Sequence, residues 1–386
     1  MALHFSKEIF LTRQNHVCKM MQHKKLDALI MFRQESMYYL SGYDSFGYSF
    51  FQAMVLDAKG SLFLLTRAPD LRQAQHTSII DDDDIYIWRD GDHRHPSYRL
   101  KDILQQKNMA NLTFGVEYEA YGLTGANTKS LDEALTGFGN IIDASHLVSK
   151  IRLVKDEKEI TYLKKAGSLG DHALETALPL IKAGGDEGDI LSAMQGAILK
   201  AGGDYPANEF VIGSGRDALL CRYKSGRSVL QKNDQLTLEW AGVYRHYHAA
   251  LMRTAVIGQP HNDHLFMFDV ARNALLACEA MLRPGNFCHD VFMAHANVLD
   301  QAGLKNHRLN ACGYAMGSTF APMWMDWPML HENNEVELKA NMAFFIHIII
   351  VNSETGHAQT LGRSSVIQAN RDNILLSRLP LELIQK

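Results

Sequence analysis

Cysteine is scarce in this chain, and none of it is paired in sequence. The five cysteines, Cys18, Cys221, Cys278, Cys288 and Cys312, form no CxxC motif. That excludes a zinc knuckle and a disulfide framework, and it points to a reducing, cytoplasmic setting. An excess of positive charge is also missing. Thirty-nine Lys and Arg against 43 Asp and Glu leave a net charge of −4, so there is no basic field for nucleic acid. No uninterrupted apolar run approaches a membrane span. The longest strong run, residues 343–351, contains His347 and reads as a buried strand. The opening MALHFSKEIFLTRQ lacks the apolar core of a signal peptide. Repeats and Pro- or Ser-rich linkers are absent too, and the acidic run at 81–84 reads as a solvated turn.

What remains is an ordinary globular balance, 46% apolar and 21% charged over 386 residues, enough for two domains with substantial cores. The first third alternates helical and strand patterns. Residues 7–24 read as a helix, 28–32 as a short buried strand, and 53–56 with 61–66 as a hairpin-like pair. Residues 70–76 read as a helix capped by Asp70, and 84–88 and 112–116 as further strands. This alternation predicts an α/β domain over residues 1–150. From 151 onward the pattern changes. Long helices come first, then strands at 209–212, 235–240 and 251–257. Helices at 263–282 and 291–302 follow, and the tail returns to strands at 342–351 and 364–367. Helices packed on an antiparallel sheet make residues 151–386 an α+β domain.

Five motifs in this second stretch carry a resemblance. They are RLVK with Glu159-Ile160 at 152–160; DQLTLE at 234–239 followed by Tyr244 and MRT at 252–254; RPG at 283–285; CGYAMG at 312–317; and NMAFFIH at 341–347. In order and spacing they resemble the linker, paired strands, KPG-like turn, TGHxxG loop and GMVFTIEP strand of the pita-bread hydrolases, the creatinase and aminopeptidase P-like family. The resemblance implies a creatinase-like N-terminal domain and a pita-bread catalytic domain.

The departures from that family are informative. Its metal-dependent members share five ligands: two Asp, one His and two Glu. At the matching positions stand Glu239, Ala250, Tyr314, His347 and Arg363. A methyl group cannot ligate, and an arginine would repel the ions, so the expectation is no metal and no cofactor. Segments RQESMYYLSGY (33–43), YPANEF (205–210), GSGRDA (213–218), YRHYH (244–248) and WMDWP (324–328) resemble the metal-free ectoine hydrolases of the family. That resemblance implies a small-molecule substrate, the cyclic amidine ectoine, opened to N-acetyl-2,4-diaminobutyrate. It also implies a homodimer in which the neighbouring N-terminal domain, through Tyr48 and the residues around it, helps close the site. Other amidine or guanidine hydrolysis, an Xaa-Pro peptidase with an atypical metal, and a non-catalytic binding protein remain open on the same scaffold.

A protonated amidine brings its own positive charge across N–C–N. Its site needs an anion, a nucleophile and a proton donor rather than a Lewis acid. Glu239, late in the apolar strand LTLEW, is the candidate anion, nucleophile or base. His347 is the candidate proton donor, against the alternative of a core histidine, and Tyr314 a candidate hydrogen-bond donor. Arg222 and Arg363 are candidates for the substrate carboxylate. His246 and His248 share a strand face by period two. Glu209, Asp326, Trp327 and Tyr48 complete the candidate binding residues, with Trp240 and Trp324 as further aromatic walls. Asp326 could instead cap a turn.

Overall fold

The computed structural model describes residues 3–370 and 372–386. The chain divides into two compact units between Arg152 and Leu153, two residues beyond the expected boundary.

The first unit runs α1 (Lys7–His23), β1 (Ala28–Met31), α2 (Gln34–Ser41), β2 (Ala53–Asp57), β3 (Leu62–Arg67), α3 (Leu71–Thr77), β4 (Ile85–Trp88), α4 (Pro96–Gln106), β5 (Thr113–Val116), α5 (Gly125–Leu135), β6 (Asn140–Asp143) and α6 (Leu147–Arg152). Its six strands lie in the order β4-β3-β2-β1-β5-β6, with β1 antiparallel to β2 and parallel to β5. Every residue of β1 is buried because both faces of the sheet are covered. Leu29 and Met31 pack with Val17, Met21 and Leu147, whereas Ala28 and Ile30 pack with Leu100, Leu104 and Leu131. Asp70 does not cap α3 as its sequence position suggests. Its carboxylate accepts a hydrogen bond from Ser45 Oγ at 3.0 Å instead. The acidic run forms a short 3₁₀ turn at Asp82–Asp84.

The second unit runs α7 (Glu157–Ala177), α8 (Glu187–Lys200), β7 (Val211–Ser214), β8 (Gln235–Tyr244), β9 (Tyr247–Val256), α9 (Asn262–Met281), α10 (Cys288–Gln301), β10 (Ala311–Ala315), β11 (Asp326–His331), β12 (Ala343–Asn352), β13 (His357–Val366), β14 (Ile374–Leu375) and β15 (Ile384–Gln385). Seven strands follow the path β11-β10-β12-β13-β9-β8-β7, with β14 added on β13 and β15 on β9. Together with the first unit this is an α/β N-terminal domain followed by an α+β pita-bread domain. A capping box opens α7: Asp156 accepts from the Glu159 N–H while Glu159 accepts from the Asp156 N–H.

Alternation along the strands sorts the residues of this sheet. In β12, Phe344, Ile346, Ile348 and Ile350 join Ala271, Leu275, Val291 and Leu299 of α9 and α10 in one apolar cluster. The other parity, Phe345, His347 and Ile349, therefore faces away from those helices. In β8, Trp240 turns toward α7, where its Nε1 donates to the Gly170 carbonyl at 2.8 Å. Glu239 takes the opposite face. The run FFIHIII is apolar on both faces because one face meets helices and the other lines a buried site.

Helix α7 approaches β8 closely at Gly242. A β-carbon there would collide with the Ala166 carbonyl and the Gly170 amide. Gly242→Ala is therefore expected to cost the second unit about 2–3 kcal/mol of unfolding free energy, read by chemical denaturation. Wild-type stability would show that the helix does not seat here.

Candidate active site

Three strands bring the candidate catalytic groups to one face. Antiparallel partners share a face, and the register sets Glu239 opposite Met252, Tyr314 opposite Phe345, and His347 opposite Gly362. Glu239, Tyr314 and His347 are all buried. Tyr314 Oη donates to Glu239 Oε1 at 3.1 Å. Trp324 Nε1 in turn donates to Tyr314 Oη at 2.8 Å. The Tyr314 and His347 rings lie 5.7 Å apart, so the phenol bonded to the carboxyl also neighbours the imidazole.

Burial sets the protonation of each group. It pushes the Glu239 carboxyl up to about 7, against the smaller opposing effects of the Tyr314 hydroxyl and the Arg222 charge. It raises the Tyr314 phenol well above its usual range, helped by the Glu239 charge, so Tyr314 stays protonated and donates. It lowers the His347 imidazole to about 4, and Arg222 lowers it further. His347 is therefore neutral at pH 7 in the free protein. Its Nδ1 is buried without a hydrogen-bond partner. Arg222 is exposed, with Nη1 donating to the Cys221 carbonyl at 2.7 Å. Its charge reaches Glu239, Tyr314 and His347.

The residues at the family's ligand positions do not fit a pair of divalent ions. Glu239 and His347 supply two donors of the right type. Ala250 supplies a methyl, Tyr314 a phenol already engaged with Glu239, and Arg363 a cation. Such sites need several correctly typed donors.

Other candidates fall elsewhere. Arg363 follows the other parity of β13, and its guanidinium makes a two-pronged ion pair with Glu279 of α9, at 2.6 and 2.7 Å. It is not at the site, and neither is Trp240, whose indole faces α7. His246 is not on the strand at all. With Arg245 it forms the β8–β9 turn at positive φ, where it stacks on Phe320 with ring centroids 4.1 Å apart. The period-two pairing with His248 fails for that reason. His248 is a satisfied core histidine. Its Nδ1 contacts the His246 carbonyl at 2.7 Å, and its Nε2 accepts from the Ala207 N–H at 3.0 Å, while burial drops its pKa to about 3. Trp327 packs against the helix-side apolar cluster. Asp326 opens β11, where it is buried and accepts from the Trp327 N–H at 2.9 Å. Glu209 precedes β7, which starts later than expected, and is exposed. Tyr48 lies in the first unit, in a 3₁₀ turn at Gly47–Ser49, edge-on to Phe46.

A further bond holds Trp324 in place: Asn208 Oδ1 accepts from the Trp324 N–H at 2.9 Å. Both segments, YPANEF and WMDWP, stood out in the sequence, but their mutual contact has no local signal.

The Arg363–Glu279 pair yields a direct check. Arg363→Met strands a largely buried carboxylate, 13% exposed, and is expected to cost about 3 kcal/mol of unfolding free energy. The double change with Glu279→Met is expected to recover most of it. An unaffected single variant would mean that the guanidinium points elsewhere.

Residues 161–368 match metallopeptidase family M24, and residues 13–154 match the creatinase/prolidase N-terminal domain. The ectoine hydrolase of Halomonas elongata is 27% identical over 362 residues, 89% of each chain. An uncharacterized hydrolase/peptidase of Sinorhizobium fredii is 28% identical over 363 residues, 90% of this chain and 89% of the other. Among solved structures, the dipeptidase PepE of Mycobacterium ulcerans superposes with a TM-score of 0.85 at 22% identity, covering 99% of both chains. The X-Pro aminopeptidase of Thermotoga maritima superposes with a TM-score of 0.83 at 18% identity, covering 97% of this chain and 99% of the other. These two likenesses concern the fold. The family match spans more than half of the sequence and includes Glu239, Tyr314 and His347, so the chain belongs to metallopeptidase family M24.

Proposed function

We propose that the second unit opens the ring of ectoine, a cyclic amidine, by hydrolysis that uses side chains in place of metal ions. One observation carries this reading. Where family members are built to hold ions, this chain has a buried carboxyl, Glu239, bonded to a single phenol, with a neutral imidazole, His347, on the same face of the sheet. The named activity of the Halomonas relative supports the choice of substrate.

The chemistry follows from the protonation states. The cationic amidine offers Glu239 a partner in a low-dielectric site, which favours release of the Glu239 proton to solvent and holds the group as carboxylate. Glu239 then neutralises the N–C–N unit while Tyr314 keeps one carboxylate oxygen in place. Water attacks the central carbon, and its proton passes to neutral His347. A C–O bond has formed and the carbon is tetrahedral. His347, now protonated, gives that proton to the departing ring nitrogen. The C–N bond breaks as the added oxygen becomes the amide carbonyl and its remaining proton passes to the released amine. This leaves a neutral amide and an ammonium that keeps the charge of the amidinium. His347 thus ends as it began. Arg222, the exposed cation nearest in effect to all three groups, is suited to the substrate carboxylate.

Amine release on ectoine, creatine and an Xaa-Pro dipeptide tests this, with and without chelator. Turnover of ectoine is expected to survive chelation, and Glu239→Gln to reduce kcat/KM by about 10³-fold. Because protonated Glu239 is the less competent form, kcat/KM should fall as pH drops through about 7. Loss of turnover on chelation with recovery on adding manganese or zinc, or cleavage of the dipeptide alone, would contradict the proposal.

A further inference from the structure

Outside the candidate active site, one group of side chains brings its donor atoms together. His261 caps α9, Asp263 lies in that helix's first turn, and His357 opens β13. His357 Nδ1 lies 2.8 Å and His261 Nδ1 3.5 Å from Asp263 Oδ2. The two imidazoles are stacked at 4.6 Å, and the donor atoms of all three residues fall within 4.8 Å of one another. His261 is exposed, and Asp263 and His357 are half-buried.

A fourth residue adds an independent observation. His264 is only 5% exposed, and its ring abuts that of His357 edge to face at 4.7 Å. Its Nε2 lies 2.9 Å from Gln235 Oε1. The orientation of that amide is settled by its neighbours: Gln235 Nε2 donates to the Gly215 and Gly356 carbonyls, and Oε1 also accepts from the Ala358 N–H. His264 Nε2 must therefore carry the proton, which leaves Nδ1 as a bare lone pair. That nitrogen is buried without a hydrogen-bond partner. Metal-binding histidines are held in this way, with the far nitrogen donating to a fixed carbonyl.

We propose that His261, Asp263 and His357, backed by His264, form a binding site for a divalent first-row transition cation of the zinc type. Imidazole-rich donors with one carboxylate suit zinc and nickel, and they disfavour calcium and magnesium, which prefer oxygen. Bonds of 2.0–2.1 Å to a tetrahedral ion place donors about 3.3 Å apart, so small side-chain shifts close the group around an ion. His357 shares the parity of Leu361 and Arg363 in β13, so the site lies on the helix side of the sheet, opposite Glu239. Its role is to tie the start of α9 to the start of β13, the strand that carries Gly362 opposite His347. It takes no part in hydrolysis.

The full-length, chelator-stripped protein tests this by calorimetric titration and thermal unfolding with zinc chloride, nickel chloride and magnesium chloride. We expect one equivalent of zinc to bind and raise Tm by at least about 3 °C at saturating metal, with no rise from magnesium. Asp263→Asn and the double variant His261→Ala/His357→Ala are expected to bind at least tenfold more weakly and to lose the Tm rise while keeping hydrolytic activity. The double variant Glu239→Gln/His347→Ala is expected to bind zinc as the wild type does. The proposal is overturned if the wild type binds no zinc, if Asp263→Asn and the His261/His357 variant bind like wild type, if magnesium acts equally, or if the Glu239/His347 variant alone loses the ion.

Discussion

The second unit is organised around a carboxyl that has been taken out of water. Glu239 sits on β8, next to the edge strand β7, with one phenol for company and, among the described residues, no basic side chain bonded to it. Burying a charge without a partner is costly, and its pKa near 7 expresses that cost. The same penalty makes the position useful, because a cation that enters the site relieves it. The Tyr314 hydroxyl, itself held by Trp324, fixes which oxygen is spoken for and leaves the other for the ligand.

His347 experiences the same surroundings with the opposite sign. Burial and the Arg222 charge both discourage its protonation, while burial encourages protonation of Glu239. The two groups therefore have displaced titrations on one sheet face: a neutral imidazole and a carboxyl that, in the proposed reaction, ionises when a cation arrives. In an ion-binding relative the metal would supply that positive charge. In the proposed reaction the substrate brings it.

Much of this was legible in the sequence where it rests on local pattern. The strands LTLEW and FFIHIII stood out because each breaks an apolar run with one polar residue, and the structure puts both polar residues on the same face. Motif order placed Tyr314 with them. The failures have physical causes. Arg363 was assigned to the site by motif alignment, but a one-residue difference along a strand reverses the face, and Glu279 holds the guanidinium on the helix side. His246 and His248 were paired by period two, which stops applying where the backbone turns at positive φ. Asp70 looked like a cap, yet Ser45 claims its carboxylate. The Asn208–Trp324–Tyr314 chain joins segments more than a hundred residues apart, a connection that no local signal encodes.

The protonation of Glu239 itself decides whether this description holds. Difference infrared spectroscopy with isotope-labelled glutamate, using Glu239→Gln to assign the band, should show a protonated carboxyl that titrates near pH 7 in the free protein. Acetamidine should convert that carboxyl to carboxylate at the same pH. A band that titrates in the ordinary glutamate range, or one that ignores the amidine, would contradict the claim that this buried carboxyl waits for a cationic substrate.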